Sequence, residues 1–243
     1  KNCMINTNSV MKKVATNGPI KAFIISLSNF FTCLIVYLYL MQSAKIRLSP
    51  QHIKLVTDAS WILTKNEILL HIKTAFEALH NWQQTAIKSH LLPADVLKTG
   101  GKISRGENYQ GLPWIVLDHP RHFVKGNIFA VRTLFWWGRF FSTTVHLSGI
   151  WQQKAGQRLV KAFESLQRES LKICYSGDEW IHDINSSSYT SLNEMDQESF
   201  GKIILEAPFV KIAAYTSIKN IENSMEILMQ QFDFLVNILG DDS

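Results

Sequence analysis

Two stretches of alternating side chains, Ile128 to Trp137 and Phe140 to Ser148, are separated only by Gly138-Arg139. No other feature of the chain constrains its fold as much. Alternation puts successive side chains on opposite faces of a strand. Glycine at the first of two central positions signals a type II′ hairpin turn. A two-residue turn sets the expected register. Trp137 stands opposite Phe140, Phe135 opposite Ser142 and Val131 opposite His146 on one face. Trp136 stands opposite Phe141, Leu134 opposite Thr143 and Arg132 opposite Val145 on the other. Both faces then carry large aromatic side chains and need covering, so the hairpin is expected to be a central element. A slip of one residue would exchange the faces of every side chain on one strand.

Around this hairpin the sequence predicts one α+β domain over residues 49–243, an antiparallel sheet centred on 128–148 and packed by amphipathic helices. Ser49-Pro50 reads as an N-cap with proline at the first helical position. Thr64-Lys65-Asn66-Glu67 reads as a capping box that starts a second helix carrying Ile68, Ile72, Ala75, Phe76 and Leu79. His71, His80 and His90 ride on that helix or its end without ligand spacing. Trp151, Ala155, Leu159, Ala162 and Leu166 mark a helix over 150–168, with Gly156 as a weak point. Leu171 to Tyr175 reads as a short strand, and Ile203 to Leu205 and Phe209 to Ala214 as strand interrupted at Pro208. Residues 176–201 show little periodicity, and a stretch that long without structure is often functional or partly disordered. Ile221, Met225, Leu228, Phe232, Leu235 and Leu239 step at helical spacing, with Gly240 as cap.

Charge excludes some functions once it is divided along the chain. The formal net charge is +5, but residues 1–48 hold six basic side chains and no acidic one, which leaves the rest at −1. The folded body therefore lacks the basic footprint of a nucleic-acid binder. Residues 22–41 are long and apolar enough by length to suggest a membrane anchor with a cytoplasmic N-terminus. The composition of 1–40 also fits translated upstream sequence, with Met41 as the true start. Three scattered cysteines, Cys3, Cys33 and Cys174, provide no disulfide framework or zinc ribbon and suit a reducing, cytoplasmic compartment. No cofactor motif is present.

Three constellations could carry chemistry. The glycine-flanked loop containing Arg105, Glu107, Asn108 and Tyr109 has the polar density of a ligand loop and also of an ordinary surface turn. Asp118, His119, Arg121 and His122 form a charged corner. Pro120 prevents a helix that would align the two imidazoles, so a turn is expected and no metal is assigned. Arg132 and His146 are expected on opposite faces of the hairpin, with Arg132 at a rim or paired to Glu107, Asp118 or an acid from 176–201. Residues 98–139 have a net charge of +5 and residues 173–201 of −6, so the acidic loop is expected to neutralise the basic surface or to cover a basic pocket for an anionic ligand.

Lys102 to Trp114, Leu117 to Arg121 and Ile128 to Gly149 together resemble a bacterial family of uncharacterised proteins. The resemblance covers about 47–240 and brings no function with it. It excludes the hydrophobic N-terminal segment, and it implies an aromatic residue where His119 stands. The leading expectation is a cytoplasmic binding or interaction protein that uses the 102–122 loop and the hairpin surface, with an unknown protein or small anionic ligand as partner. The alternatives are an enzyme acting on a small anionic substrate held by Arg105, Arg121 or Arg132, and a membrane-anchored protein. In the enzyme, Glu107, Asp118 or His146 would handle protons.

Overall fold

From Lys102 onward the chain is organised by strand pairing. β1 (Lys102–Tyr109), β2 (Leu112–Val124), β3 (Asn127–Trp136) and β4 (Phe140–Ser148) form consecutive antiparallel neighbours. β5 (Lys172–Cys174), β6 (Thr190–Ser191) and β7 (Phe209–Ser217) complete a seven-stranded sheet of order β1-β2-β3-β4-β7-β5-β6. The α+β architecture with a central hairpin is therefore observed, in a computed structural model that describes residues 18–43, 45–89 and 92–240. The chain divides into two compact units, Lys1–Trp61 and Ile62–Ser243.

The hairpin register differs from the expected one. Trp136 pairs with Phe140, Phe135 with Phe141, Arg132 with Thr144 and Ala130 with His146. The connection has three residues, Trp137-Gly138-Arg139. The Arg139 N–H donates to Trp136 O at 3.0 Å, closing a four-residue turn Trp136–Arg139 in which Gly138 is the third residue, at φ +67°. A positive φ at that position is what a glycine supplies. One extra turn residue shifts the pairing by one, so Arg132 and His146 lie on the same face rather than on opposite faces.

β2 also differs from expectation. The charged corner at 118–122 is no turn, because the strand continues through it to Val124. Asp118 pairs with Arg132 and Arg121 with Ala130, so β2 spends one residue more than β3 between these pairs. Pro120 has no N–H for the ladder, and such a bulge is where a sheet tolerates proline.

Helices cover one face of the sheet. These are α3 (Ala59–Ala86), α5 (Ile150–Lys161) and α8 (Ser224–Leu239). Leu69, Ile72, Phe76 and Leu79 of α3 pack with Ile115, Leu117, Phe135 and Phe141. Trp151, Ala155 and Leu159 of α5 and Leu235 and Val236 of α8 pack with Val131, Val145, Leu147 and Ile212. α3 runs unbroken through Thr64–Glu67, where a capping box was expected. Asp58 does the capping instead, accepting the Ser60 N–H at 2.9 Å. α6 (Phe163–Arg168) follows α5. α7 (Gln197–Glu206) replaces the strand expected at Ile203 to Leu205, and Asp196 caps it by accepting the Ser199 N–H at 2.8 Å. Gly156, expected to weaken the helix, is a close contact: a Cβ there would stand 3.3 Å from Leu205 Cδ2 on α7.

The opposite face carries Val116, Leu134, Trp136, Phe140 and Ala213, with Ile184 and Tyr189 packed on them. These last two belong to 176–201, which is not structureless. It holds β6, a 3₁₀ turn at Leu192–Glu194 and the start of α7, and it covers this face.

In the first unit, α1 (Gly18–Ser43) contains the stretch 22–41, and α2 (Pro50–Thr57) starts at the expected Ser49 cap, whose Oγ accepts the His52 N–H at 3.1 Å. Among the described residues no helix is long and apolar enough to cross a membrane, which an anchor at 22–41 would require. α4 (Ala94–Leu97) is a single turn before β1. His90 lies outside the described residues.

Candidate functional site

The face covered by the 176–190 segment holds a cavity of about 520 Å³. β1 contributes Lys102, Ser104, Asn108 and Tyr109; β2 contributes Trp114, Asp118, Arg121 and Phe123. β3 adds Arg132, and the covering segment adds Trp180 and His182. The alternation of three adjacent strands brings these side chains to one side, and the bulge at 119–120 returns Arg121 to the side of Asp118.

At the base of the cavity, Arg132 Nε donates to Asp118 Oδ1 at 2.6 Å and its second terminal nitrogen to Asp118 Oδ2 at 3.0 Å. The side chains are 16% and 8% exposed, so this is a largely desolvated bidentate pair. Arg132 Nη1 also donates to His182 Nε2 at 2.9 Å. A guanidinium can only donate, so His182 is a neutral imidazole with its proton on Nδ1. Burial pushes its pKa down to about 2, with Lys211 and Arg132 adding repulsion. The His182 backbone N–H donates to Tyr109 Oη at 2.8 Å, which ties the covering segment to β1. Tyr109 is held by the tight turn Gln110-Gly111, both at positive φ, where the Gly111 N–H donates to Asn108 Oδ1 at 3.1 Å.

Nearer the rim, Arg121 Nε donates to Gly100 O at 2.8 Å. Lys102 is exposed. The Phe123 and Trp180 rings face one another at 6.4 Å, and the Arg132 guanidinium lies 5.9 Å from the Phe123 centroid. Three cations and one carboxylate, already engaged, thus line a space with aromatic walls.

Of the residues expected from sequence, the cavity gathers Asn108, Tyr109, Asp118, Arg121 and Arg132. It excludes Arg105 and Glu107, which line a separate hollow of about 350 Å³ with Asn66 and Leu69. There Glu107 pairs with Lys65 at 2.7 Å. Among the candidate acids for Arg132, the structure selects Asp118. His146 lies off the cavity, its Nε2 3.2 Å from Glu179 Oε2 and its ring edge-on to Trp180 at 5.6 Å. Burial, with Lys211 and Arg132 nearby, pushes its pKa down to about 3, so a neutral His146 donates to the Glu179 carboxylate. The corner residues separate: His119 turns to the helical face against His80, with ring centroids 4.9 Å apart, and His122 packs on Trp151. Among the described residues no group of three or more His, Cys, Asp or Glu side chains is placed to hold a metal.

Sequence reasoning missed Trp180, His182 and Lys211. The first two sit in an aperiodic segment that gives no clue to what it covers. Lys211 did leave a signal, as a lone cation in the apolar run Phe209-Val210-Lys211-Ile212-Ala213.

Compared with known proteins, the chain matches no protein-family model and no curated protein.

Proposed function

We propose that the chain is a binding protein for a small organic anion with an aromatic or apolar body, held in the cavity over β1, β2 and β3. The observation that carries this is the convergence of Lys102, Arg121 and the anchored Arg132 on a space walled by Trp114, Phe123 and Trp180. Its volume of about 520 Å³ falls in the range of small-molecule sites, roughly 300–1,000 Å³. Asp118 fixes Arg132 without consuming Arg121 or Lys102, so positive potential is left for the ligand. The hairpin aromatics Phe135, Trp136, Phe140 and Phe141 are at most 1% exposed, so a protein partner would find little of that surface to touch.

Tryptophan fluorescence tests this, because Trp114 and Trp180 line the cavity. Benzoate, phenylphosphate and phenylpyruvate are titrated into the chain and into Arg121→Ala. At least one anion is expected to bind, and Arg121→Ala is expected to weaken it by about tenfold or more, the usual effect of removing a charged hydrogen bond. Affinities no tighter than about 1 mM for all three, or equal affinity for both proteins, would refute the proposal.

A further inference from the structure

β7 is paired by β4 along its whole length on one side, but on the other side β5 meets only Lys211 to Ala213. Beyond Ala213 that edge is open. The chain enters β5 from a turn, in which Ser170 stands at φ +53° and its N–H donates to Gln167 O. The register fixes which backbone groups face the opening. Leu171 O accepts the Leu192 N–H on the β6 side, so the next residue, Lys172, faces β7, and its partner Ala213 faces β5. Backbone groups alternate in direction along a strand. Tyr215 and Ser217 therefore turn theirs to the open edge. Tyr215 O is met by Gln231 Nε2 of α8 at 3.2 Å. Among the described residues nothing accepts the Tyr215 N–H.

A groove of about 690 Å³ lies along this edge, where a longer β5 would run. Ala214 and Tyr215 form one side of it, and Ile227, Gln231 and Phe234 of α8 form a wall. These three recur at the spacing of one helix face. Lys172, also in the groove, is engaged by Ile184 O at 3.1 Å and Asn185 Oδ1 at 3.0 Å. Glu169 lines the groove with no ion-pair partner among the described residues. The charge left over here is thus negative, the reverse of the anion cavity.

We infer that this groove is a second binding site, for an extended peptide segment with a basic side chain that adds to β7 as a strand. The site does not depend on the anion-binding function proposed above. Its occupant extends the β5–β7 pairing already present and exchanges main-chain hydrogen bonds with Tyr215, whose carbonyl oxygen can accept a second bond beside that of Gln231. Cross-strand neighbours share a sheet face. Ala214 belongs to the core beneath the helices, so a peptide residue opposite Thr216 also points toward α8. An apolar side chain there meets Ile227 and Phe234, both half-buried. The Glu169 carboxylate favours a basic segment over an acidic one. An edge that is merely to be protected is commonly blocked by proline, by lysine or by a bulge. Residues 214–217, Ala-Tyr-Thr-Ser, carry no proline or lysine, and their pairing with β4 runs without a bulge.

Titration of the isotope-labelled full chain with acetyl-Thr-Lys-Val-Lys-Thr-amide, followed by amide NMR, tests this. Saturable shifts are expected at the Tyr215 and Ser217 amides, with a Kd below about 1 mM. The same peptide N-methylated at both lysines cannot pair and is expected to bind about tenfold more weakly or worse. Acetyl-Thr-Glu-Val-Glu-Thr-amide is also expected to bind more weakly than the lysine peptide. No saturable shift at these amides, or equal affinity for the N-methylated peptide, would overturn the proposal and leave Gln231 as a cap on an idle edge. Equal or tighter binding of the glutamate peptide would overturn the preference for a basic segment. Phe234→Ala should weaken the lysine peptide about fivefold; if that variant does not fold, the N-methylation comparison on the unaltered chain decides.

Discussion

Removing the Asp118 carboxylate is the perturbation whose outcome the structure fixes most closely. In Asp118→Ala, Arg132 loses hydrogen bonds of 2.6 and 3.0 Å and keeps its full charge in a site where its side chain is 16% exposed. Breaking a buried pair by deleting one partner costs about 3–5 kcal/mol. Contact with His182 and the solvent in the cavity places this case near the low end, at about 3 kcal/mol. For a chain of this size that corresponds to roughly 6–12 °C in Tm. Urea denaturation at pH 7.5, followed by circular dichroism, measures it as a shift in midpoint at constant slope. The double replacement Asp118→Leu with Arg132→Met removes both charges and should recover most of the loss, because apolar side chains of similar volume tolerate such a site. A loss below about 1 kcal/mol, typical of a solvent-exposed ion pair, would refute the claim that this pair is desolvated. A double variant no better than the single one would refute the claim that the orphaned charge causes the loss.

Other outcomes follow from the same geometry. Gly149→Ala should cost at least about 3 kcal/mol in a thermal or urea melt. Its φ is +57° and its Cβ would stand 2.1 Å from the Gly126 carbonyl oxygen, a backbone atom with little room to yield. His119→Phe should be neutral or stabilising by about 1 kcal/mol, because both imidazole nitrogens are buried without a hydrogen-bond partner; a large loss would show that water satisfies them. His119, His146 and His182 have folded pKa values pushed down to about 4, 3 and 2, mainly by burial. The unfolded chain therefore binds more protons as pH falls below about 6.5. Stability should be full above that pH and fall by roughly 1.4 kcal/mol per unit per histidine toward the folded values. A flat profile between pH 6 and pH 4 would contradict their burial.

The parts of the fold set by local periodicity were legible in the sequence. The two aromatic strands, the α5 stripe of Trp151, Ala155 and Leu159, and the α8 seam of Leu228, Phe232 and Leu235 lie where their spacing puts them. What depended on a count of one was not. Gly138 marks the hairpin turn, but it serves a three-residue connection as well as a two-residue one, and the difference exchanges the faces of a whole strand. Pro120 and the polar side chains around it pointed to a turn, and the bulge that lets β2 continue through them depends on β3. α7 had a readable start in Asp196 and a helical step from Phe200 to Ile204, obscured by three consecutive apolar residues at Ile203 to Leu205. The cavity was half visible. Asn108, Tyr109, Asp118, Arg121 and Arg132 are near one another in sequence or in the expected sheet. Trp180 and His182 arrive by a chain crossing that no local pattern encodes.

Diffraction from crystals soaked with 4-bromobenzoate tests the central claim most directly, since bromine is located by its own anomalous signal. The predicted result is a bromine site among Trp114, Phe123 and Trp180, with the carboxylate within hydrogen-bonding distance of Arg121 or Lys102. A bromine site elsewhere, with the cavity unoccupied at a concentration that saturates the fluorescence change, would contradict the assignment of this cavity as the anion site.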